Sequence, residues 1–298
     1  MARNSAIAQA APTAALPEVR TIRPADLYDV LAKGLDDFRA MPSHVVFLSL
    51  IYPVIGLLFA RLAFGYDLLP ILFPLIAGFA LIGPLAAIGL YELSRRRELG
   101  LSTSWKDAFG VLRSQSIPAI VTLGSLLMAI FLTWLLVAEL IYAATFGGAR
   151  PVSLGGFIED VLTTRQGWTL ILVGNTVGFL FALVAFTISV VSFPLLLDRD
   201  VGFAAAVTTS VRAVAANPIP MAMWGLIVAA LLALGSLPFL MGLAIAFPVL
   251  GHATWHLYRK VVEPGATPRA GYWAPAKRKR YAADFPSVLF PWTREDRS

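Results

Sequence analysis

The feature that most constrains this chain is a run of 41 consecutive residues, 218–258, without a single Lys, Arg, Asp or Glu. About 20 helical residues cross the roughly 30 Å hydrocarbon core of a bilayer. The run is therefore twice the length of one crossing, and Gly235, Ser236 and Pro238 near its middle supply a turn. Two tightly joined helices, 218–235 and 238–258, are expected. Four further apolar stretches stand upstream: 44–64, with Arg61 near its end; 68–91, closed by Glu92; 117–146, interrupted by Glu139; and 168–197. The expected fold class is all-α, a polytopic transmembrane bundle of six spans.

Composition agrees with this reading. Hydrophobic residues make up 58% of the chain and charged residues 14%, and mean hydropathy is +0.74. Soluble domains carry about a quarter charged residues, so a water-soluble core is excluded. Orientation follows retention of Lys and Arg on the cytoplasmic side. With six spans and the N-terminus inside, 21 Lys+Arg fall in inside segments and only Arg61, Arg150 and Arg165 fall outside. Both termini are thus expected in the cytoplasm, with the protein in the inner (plasma) membrane. The net charge of +6 then reflects loops beside an anionic leaflet rather than nucleic acid. The chain has no cysteine, which removes disulfides, thiolate nucleophiles, iron–sulfur ligation and Cys-x-x-Cys-His haem attachment.

Residues 1–43 hold five basic and five acidic residues and no apolar signal-peptide core. The first 20 residues are rich in Ala and Pro and are expected to be disordered. From Pro24, the spacing of Leu27, Leu31, Leu35 and Phe38 predicts an amphipathic helix over 24–40, on the membrane surface or against the cytoplasmic loops. At the other end, 259–298 reads as a basic cytoplasmic tail. Its Lys277-Arg278-Lys279-Arg280 run is followed by Tyr281, Phe285, Phe290 and Trp292. Just past a span, such a run is expected to lie on anionic lipid.

The inward-running spans each carry a proline near their exit: Pro84, Pro194 and Pro248. Amphipathic segments 105–113 and 203–212 follow two of them, so a 3+3 repeat of a three-helix unit is one reading. Gly174-x-x-x-Gly178, extended by Ala182, forms a small-residue stripe for close helix packing. Ionisable residues within a bilayer are functional candidates by default, yet Arg61, Glu92 and Glu139 all lie towards span ends. His252 and His256 are spaced i, i+4 on one helical face, a spacing that can chelate a metal, with His44 or Glu92 as a third ligand if spans one, two and six adjoin. The competing reading of 252–258, in which His252, Trp255, His256 and Tyr258 recur, is an interfacial aromatic cluster anchoring a helix end. No phosphate-binding glycine loop, Gly-x-Ser-x-Gly or zinc pattern is present, so no catalytic residue and no cofactor is predicted.

Two motifs carry a resemblance. Gly83-Pro84-Leu85-Ala86-Ala87-Ile88-Gly89-Leu90-Tyr91-Glu92-Leu93-Ser94-Arg95-Arg96-Arg97 and Phe247-Pro248-Val249-Leu250-Gly251-His252-Ala253-Thr254-Trp255-His256-Leu257-Tyr258-Arg259 resemble the two signatures of domain-of-unknown-function family 2189 (DUF2189), predicted integral membrane proteins of proteobacteria. The resemblance covers roughly residues 20–265. It implies a bacterial inner membrane and supplies no function or catalytic residues.

Three classes of function remain. The first is a non-enzymatic accessory, assembly or scaffold component of a membrane complex, in contact with the bilayer, with anionic lipid at the cytoplasmic face and with a membrane protein partner. The second is a small-solute transporter built from proline-interrupted helices. The third is a metal- or haem-binding membrane enzyme using His252 and His256.

Overall fold

The computed structural model describes residues 16–41, 69–148, 151, 153–237 and 241–264. The expected first span, 44–64, His44 and the 277–280 run lie outside the described residues. The described chain is all-helical, with α1 (Asp26–Ala40), α2 (Leu69–Phe79), α3 (Gly83–Ala86), α4 (Ile88–Glu98), α5 (Ile117–Phe146), α6 (Leu154–Thr163), α7 (Arg165–Ser189), α8 (Ser192–Asp198), α9 (Phe203–Ala216), α10 (Pro218–Ser236) and α11 (Leu243–Val261). Short 3-10 segments occupy Ala80–Ile82 and Trp105–Arg113.

Four helical stretches are long and apolar enough to cross a membrane: Leu72–Glu98, Ile117–Phe146, Arg165–Asp198 and Pro218–Ser236. They coincide with four of the six stretches expected from sequence. Helix α11 is not among them, because its second half turns polar at His252, Thr254, His256, Arg259 and Lys260. It nevertheless runs back antiparallel to α10. Gly235 and Gly242 meet at one end of the pair, where a Cβ on Gly242 would come 2.7 Å from the Cα of Gly235. At the other end, Arg20 joins both helices: its amide donates to the Val261 carbonyl at 2.7 Å, and its carbonyl accepts from Asn217 Nδ2 at 3.0 Å.

The prolines act differently at their three positions. Before Pro84 the helix tightens into the 3-10 turn Ala80–Ile82 and restarts as α3. Near Pro194 it breaks between α7 and α8, and α9 satisfies the freed polar groups. Ser210 Oγ accepts from the Val191 amide at 3.2 Å and donates to the Thr187 carbonyl at 2.7 Å, while Ser192 Oγ donates to the Ala206 carbonyl at 3.1 Å. Pro248 sits inside an unbroken α11.

Packing is inside-out relative to a soluble protein. Leu132, Leu136 and Leu140 on α5, Leu172, Phe179 and Leu180 on α7, and Leu226 and Leu234 on α10 all face outward. An apolar belt of that extent is favourable only against hydrocarbon. Between the helices, Leu123, Leu127, Phe131 and Trp134 of α5 fill the interior. Gly78 of α2 lies flush against Trp134 and Phe131, and Gly124 lies against Leu85. The most completely buried side chains gather at one end, where Tyr91, Leu93, Phe193, Leu195, Leu196, Trp255 and Tyr258 come together.

Helix α1 lies along α11 at that end. Its deepest line is Leu27, Val30, Gly34 and Asp37, while Leu31, Leu35 and Phe38 are half-buried on its flank. This rotates the helix from the expected Leu27/Leu31/Leu35/Phe38 stripe. The reason is close approach: a Cβ on Gly34 would lie 2.6 Å from the Ala253 Cβ and 2.7 Å from its backbone nitrogen. A Gly→Ala change in an exposed helix gains about 1 kcal/mol of helix propensity. At Gly34 the sign should reverse: Gly34→Ala is expected to lower stability by about 1–3 kcal/mol through overpacking, read as a lower thermal midpoint of the detergent-solubilised protein.

Candidate functional site

The two sequence motifs converge on one end of the bundle, where α4 and α11 cross in close contact. A Cβ on Gly251 would meet Leu90 Cδ1 at 2.6 Å, so glycine is required there for the helices to approach. Around this crossing α1, α4, α8 and α11 bring a dense set of buried polar groups together, and two clusters can be distinguished.

The first centres on Asp37, 3% exposed. Its Oδ2 accepts from Ser94 Oγ at 2.6 Å and from His256 Nε2 at 2.9 Å, and its Oδ1 pairs with Arg97, which also binds Asp36 at 2.9 Å. Ser94 Oγ in turn lies 2.7 Å from His252 Nδ1. An ionised carboxylate only accepts, so Ser94 must give its single proton to Asp37 and His256 must carry a proton on Nε2. Ser94 then accepts from His252, which assigns that ring the Nδ1–H tautomer. His252 Nε2 is buried without a hydrogen-bond partner. Burial alone would raise the Asp37 carboxyl, but hydrogen bonds from His256, Ser94 and Arg97 outweigh it and hold the group below its ordinary value.

The second cluster is built on Asp198 and Glu92, both buried. Tyr258 OH donates to Asp198 Oδ2 at 2.8 Å, and Arg95, Arg199 and Arg259 approach the same carboxylate at 3.8, 3.6 and 3.6 Å. Arg95 also reaches Glu92 Oε2 at 3.3 Å, and Arg96 lies 4.0 Å from Glu92 Oε1. Arg259 continues to Glu98 at 2.9 Å, whose Oε2 accepts from Trp255 Nε1 at 3.0 Å. On the rim, Lys260 ties α11 to Asp26 and Asp29 of α1 at 3.2 and 3.0 Å. Hydrogen bonds from the Arg23 amide and from Lys260 lower Asp26, and those from Lys260 and Lys33 lower Asp29.

This geometry revises several expectations. Glu92, expected near a span end beside three arginines, lies in the last turns of the Leu72–Glu98 stretch, fully enclosed and close to two of them. The 252–258 segment was offered as an interfacial aromatic cluster, but His252, Trp255 and Tyr258 are at most 1% exposed and point into the protein. His252 and His256 face the same Ser94–Asp37 pair and so are bridged by a carboxylate and a hydroxyl. Among the described residues no group of three or more His, Asp or Glu side chains is arranged to hold a metal ion. Of the small-residue stripe, Gly178 lies against Trp134, whereas a Cβ on Gly174 would meet nothing within 4 Å and Ala182 is exposed.

Sequence reasoning missed Asp37, Ser94, Asp198 and Tyr258 as members of a network. One signal was available: Asp37 follows Leu27, Val30 and Gly34 at spacings of 3, 4 and 3, which places a carboxylate on the helix face that docks.

Residues 72–198 match the model of a family described as "Predicted integral membrane protein (DUF2189)". The match takes in the first motif, with Glu92 and Arg95, Arg96 and Arg97, and ends at Asp198; the second motif, in α11, lies beyond it. No curated protein and no solved structure matches the chain. The chain is thus similar over this stretch to a family of integral membrane proteins, in keeping with its outward-facing apolar helices.

The Asp37 cluster has measurable consequences. A carboxyl whose folded pKa is depressed contributes stability that is fully present above its unfolded value, about 3.9, and is lost as pH falls through the folded value. Docking of α1 is therefore expected to hold from neutral pH down to about pH 4 and to weaken below it. Asp37→Ala leaves Arg97, His256 and Ser94 without their acceptor and should cost about 2–5 kcal/mol. Thermal unfolding of both proteins as a function of pH checks this: the acid loss should be smaller in the variant than in the native protein, with the remainder coming from Asp26 and Asp29.

Proposed function

We propose that this protein is a multi-pass inner-membrane scaffold or accessory subunit that crosses the bilayer six times, with its charged, close-packed end in the cytoplasm. The observation that carries the reading is that the buried charged residues at that end are paired with one another. Asp37, Glu92, Asp198, Arg95 and Arg199 are buried and partnered across four helices. Such a network fixes relative helix positions and leaves a rigid platform, with α1 as its outer face. A catalytic or transport site would instead hold polar groups towards a cavity that substrate can reach.

The topology rests on three supports. Lys and Arg concentrate on the side of this end. Helix α11 returns antiparallel to α10 over a comparable length. The chain also leaves the charged end at Met41 and enters α2 at Leu69 near the opposite end, where Pro70 lies close to Ala138 and Ile141. The contact of α4 with α11 through Leu90 and Gly251 brings the two similar motifs together, which supports a 3+3 repeat. The transporter reading needs a polar passage, and the midsection is filled by Leu123, Leu127 and Phe131.

The chain contains no cysteine, so single substitutions report topology directly. Gly148→Cys and Gly155→Cys should react with an impermeant maleimide in intact cells; Leu16→Cys, Ser102→Cys and Asp200→Cys should react only after permeabilisation. Labelling of Leu16→Cys from outside would remove the six-span arrangement. For function, protein purified from native membranes in mild detergent should carry a stoichiometric membrane-protein partner that is lost when residues 1–43 are deleted. Recovery of the protein alone, together with solute flux in liposomes, would favour the transporter.

A further inference from the structure

The end of the bundle remote from the charged network contains a cavity of about 350 Å³ enclosed by α2, α5, α6 and α7, within the range of small-molecule pockets, about 300–1,000 Å³. Its walls include Phe73, Ala138, Ile141, Leu170 and Ile171. Two polar side chains also line it, and each is turned onto a backbone carbonyl. Trp134 Nε1 donates to the Pro74 carbonyl at 2.9 Å and Asn175 Nδ2 donates to the Ile171 carbonyl at 2.7 Å. Among the described residues, no charged side chain lines it.

Helix α6 forms the roof. Its Phe157 and Val161 face the cavity, while Leu154 and Ile158 are exposed. The roof is held in place at both ends. Tyr142 of α5 packs edge-on to Phe157 with ring centroids 6.2 Å apart. At the corner with α7, a Cβ on Gly167 would lie 2.2 Å from the Val161 carbonyl oxygen, so glycine alone lets the two helices close. Twelve residues separate Trp134 from the end of α5 at Phe146, about 18 Å at 1.5 Å per residue, which sets the cavity floor near the middle of a hydrocarbon core of about 30 Å.

We infer that this cavity is a binding site for the acyl chain of a membrane phospholipid. An apolar cavity of this kind excludes water, and an empty one forfeits the dispersion contacts of its whole lining. Phe73 in its wall is 63% exposed and Asn175, also in the wall, is exposed, so the cavity opens on the outer surface of the bundle, which is the lipid-facing belt. Gly174 is the position that keeps the space open: it lines the cavity and its Cβ direction is empty. The inference needs only the membrane location of the helices and is independent of the scaffold reading.

Trp134 supplies the test, since it is 5% exposed and can meet a lipid chain only inside the cavity. The protein is reconstituted into phosphatidylethanolamine and phosphatidylglycerol vesicles with acyl chains brominated at carbons 11 and 12, or unbrominated. Trp134 emission is taken as the difference between the native protein and Trp134→Phe. It should be at least halved by the brominated chains. Gly174→Leu, which fills the space without a clash, should restore it to the unbrominated level, and Ala138→Leu, from the opposite wall, should do the same. Unquenched Trp134 in the native protein would overturn the inference and show the cavity filled by protein, either this chain or a second copy. Quenching that persists undiminished in both filled variants would also overturn it, by placing the bromines on the outer surface.

Discussion

The carboxylate of Asp37, with the donors that close around it, is the interaction on which the arrangement of the charged end depends. Helix α1 docks through a narrow, fully buried line of Leu27, Val30, Gly34 and Asp37, flanked by the half-buried Leu31, Leu35 and Phe38. Gly34 allows the helix backbone to reach Ala253 of α11, and that closeness brings Asp37 within reach of Ser94 and Arg97 on α4 and His256 on α11. A buried carboxylate without these partners would be expelled or neutralised. With them, three helices distant in sequence are fixed at one point, and the Glu18–Ile22 strand-like segment is drawn against Val261, Val262 and Asn217.

Two solvents shape the rest. In the membrane-facing part, the outer surface can be fully apolar, so Leu, Phe and Val appear on both sides of α5, α7 and α10, and fit is decided by small residues at contact points, as where Gly78 and Gly178 receive Trp134. There is little hydrophobic drive for one apolar helix to prefer another over lipid. Towards the charged end that indifference disappears. Ion pairs there are distant from bulk water yet mutually satisfied, and removing one partner leaves the others stranded. The charged end therefore acts as the specific element of the fold, and the apolar part as its adaptable one.

How much of this was legible in the sequence follows from the same division. Span positions could be read because hydrocarbon imposes length and excludes charge: 117–146 is the clearest case, matching α5 residue for residue. The break near Pro194 was visible as a proline, but its repair by Ser210, 18 residues after Ser192, was not, since Ser210 looks like any polar residue of an amphipathic helix. The site was less legible. His252 and His256 stand out in the sequence as a pair on one helical face, yet the carboxylate they face is hidden in α1, some 215 residues away in sequence. Glu92 was read as a boundary residue because periodicity alone does not reveal that Arg95 and Arg96 fold back over it. Tyr258 looked like an interfacial anchor because an aromatic ring with a polar tip suits a membrane interface and a buried Asp198 equally.

The central claim is that α1 is an integral part of one rigid charged end rather than a loosely attached surface helix. Native-state hydrogen exchange of the protein in lipid nanodiscs tests it most directly, by comparing amides of 27–38 with those of 250–260. The account predicts that both segments exchange through the same opening, with equal protection that falls in parallel when Asp37 is replaced by Ala. Exchange of 27–38 far faster than that of 250–260 in the native protein, unchanged by the substitution, would contradict it.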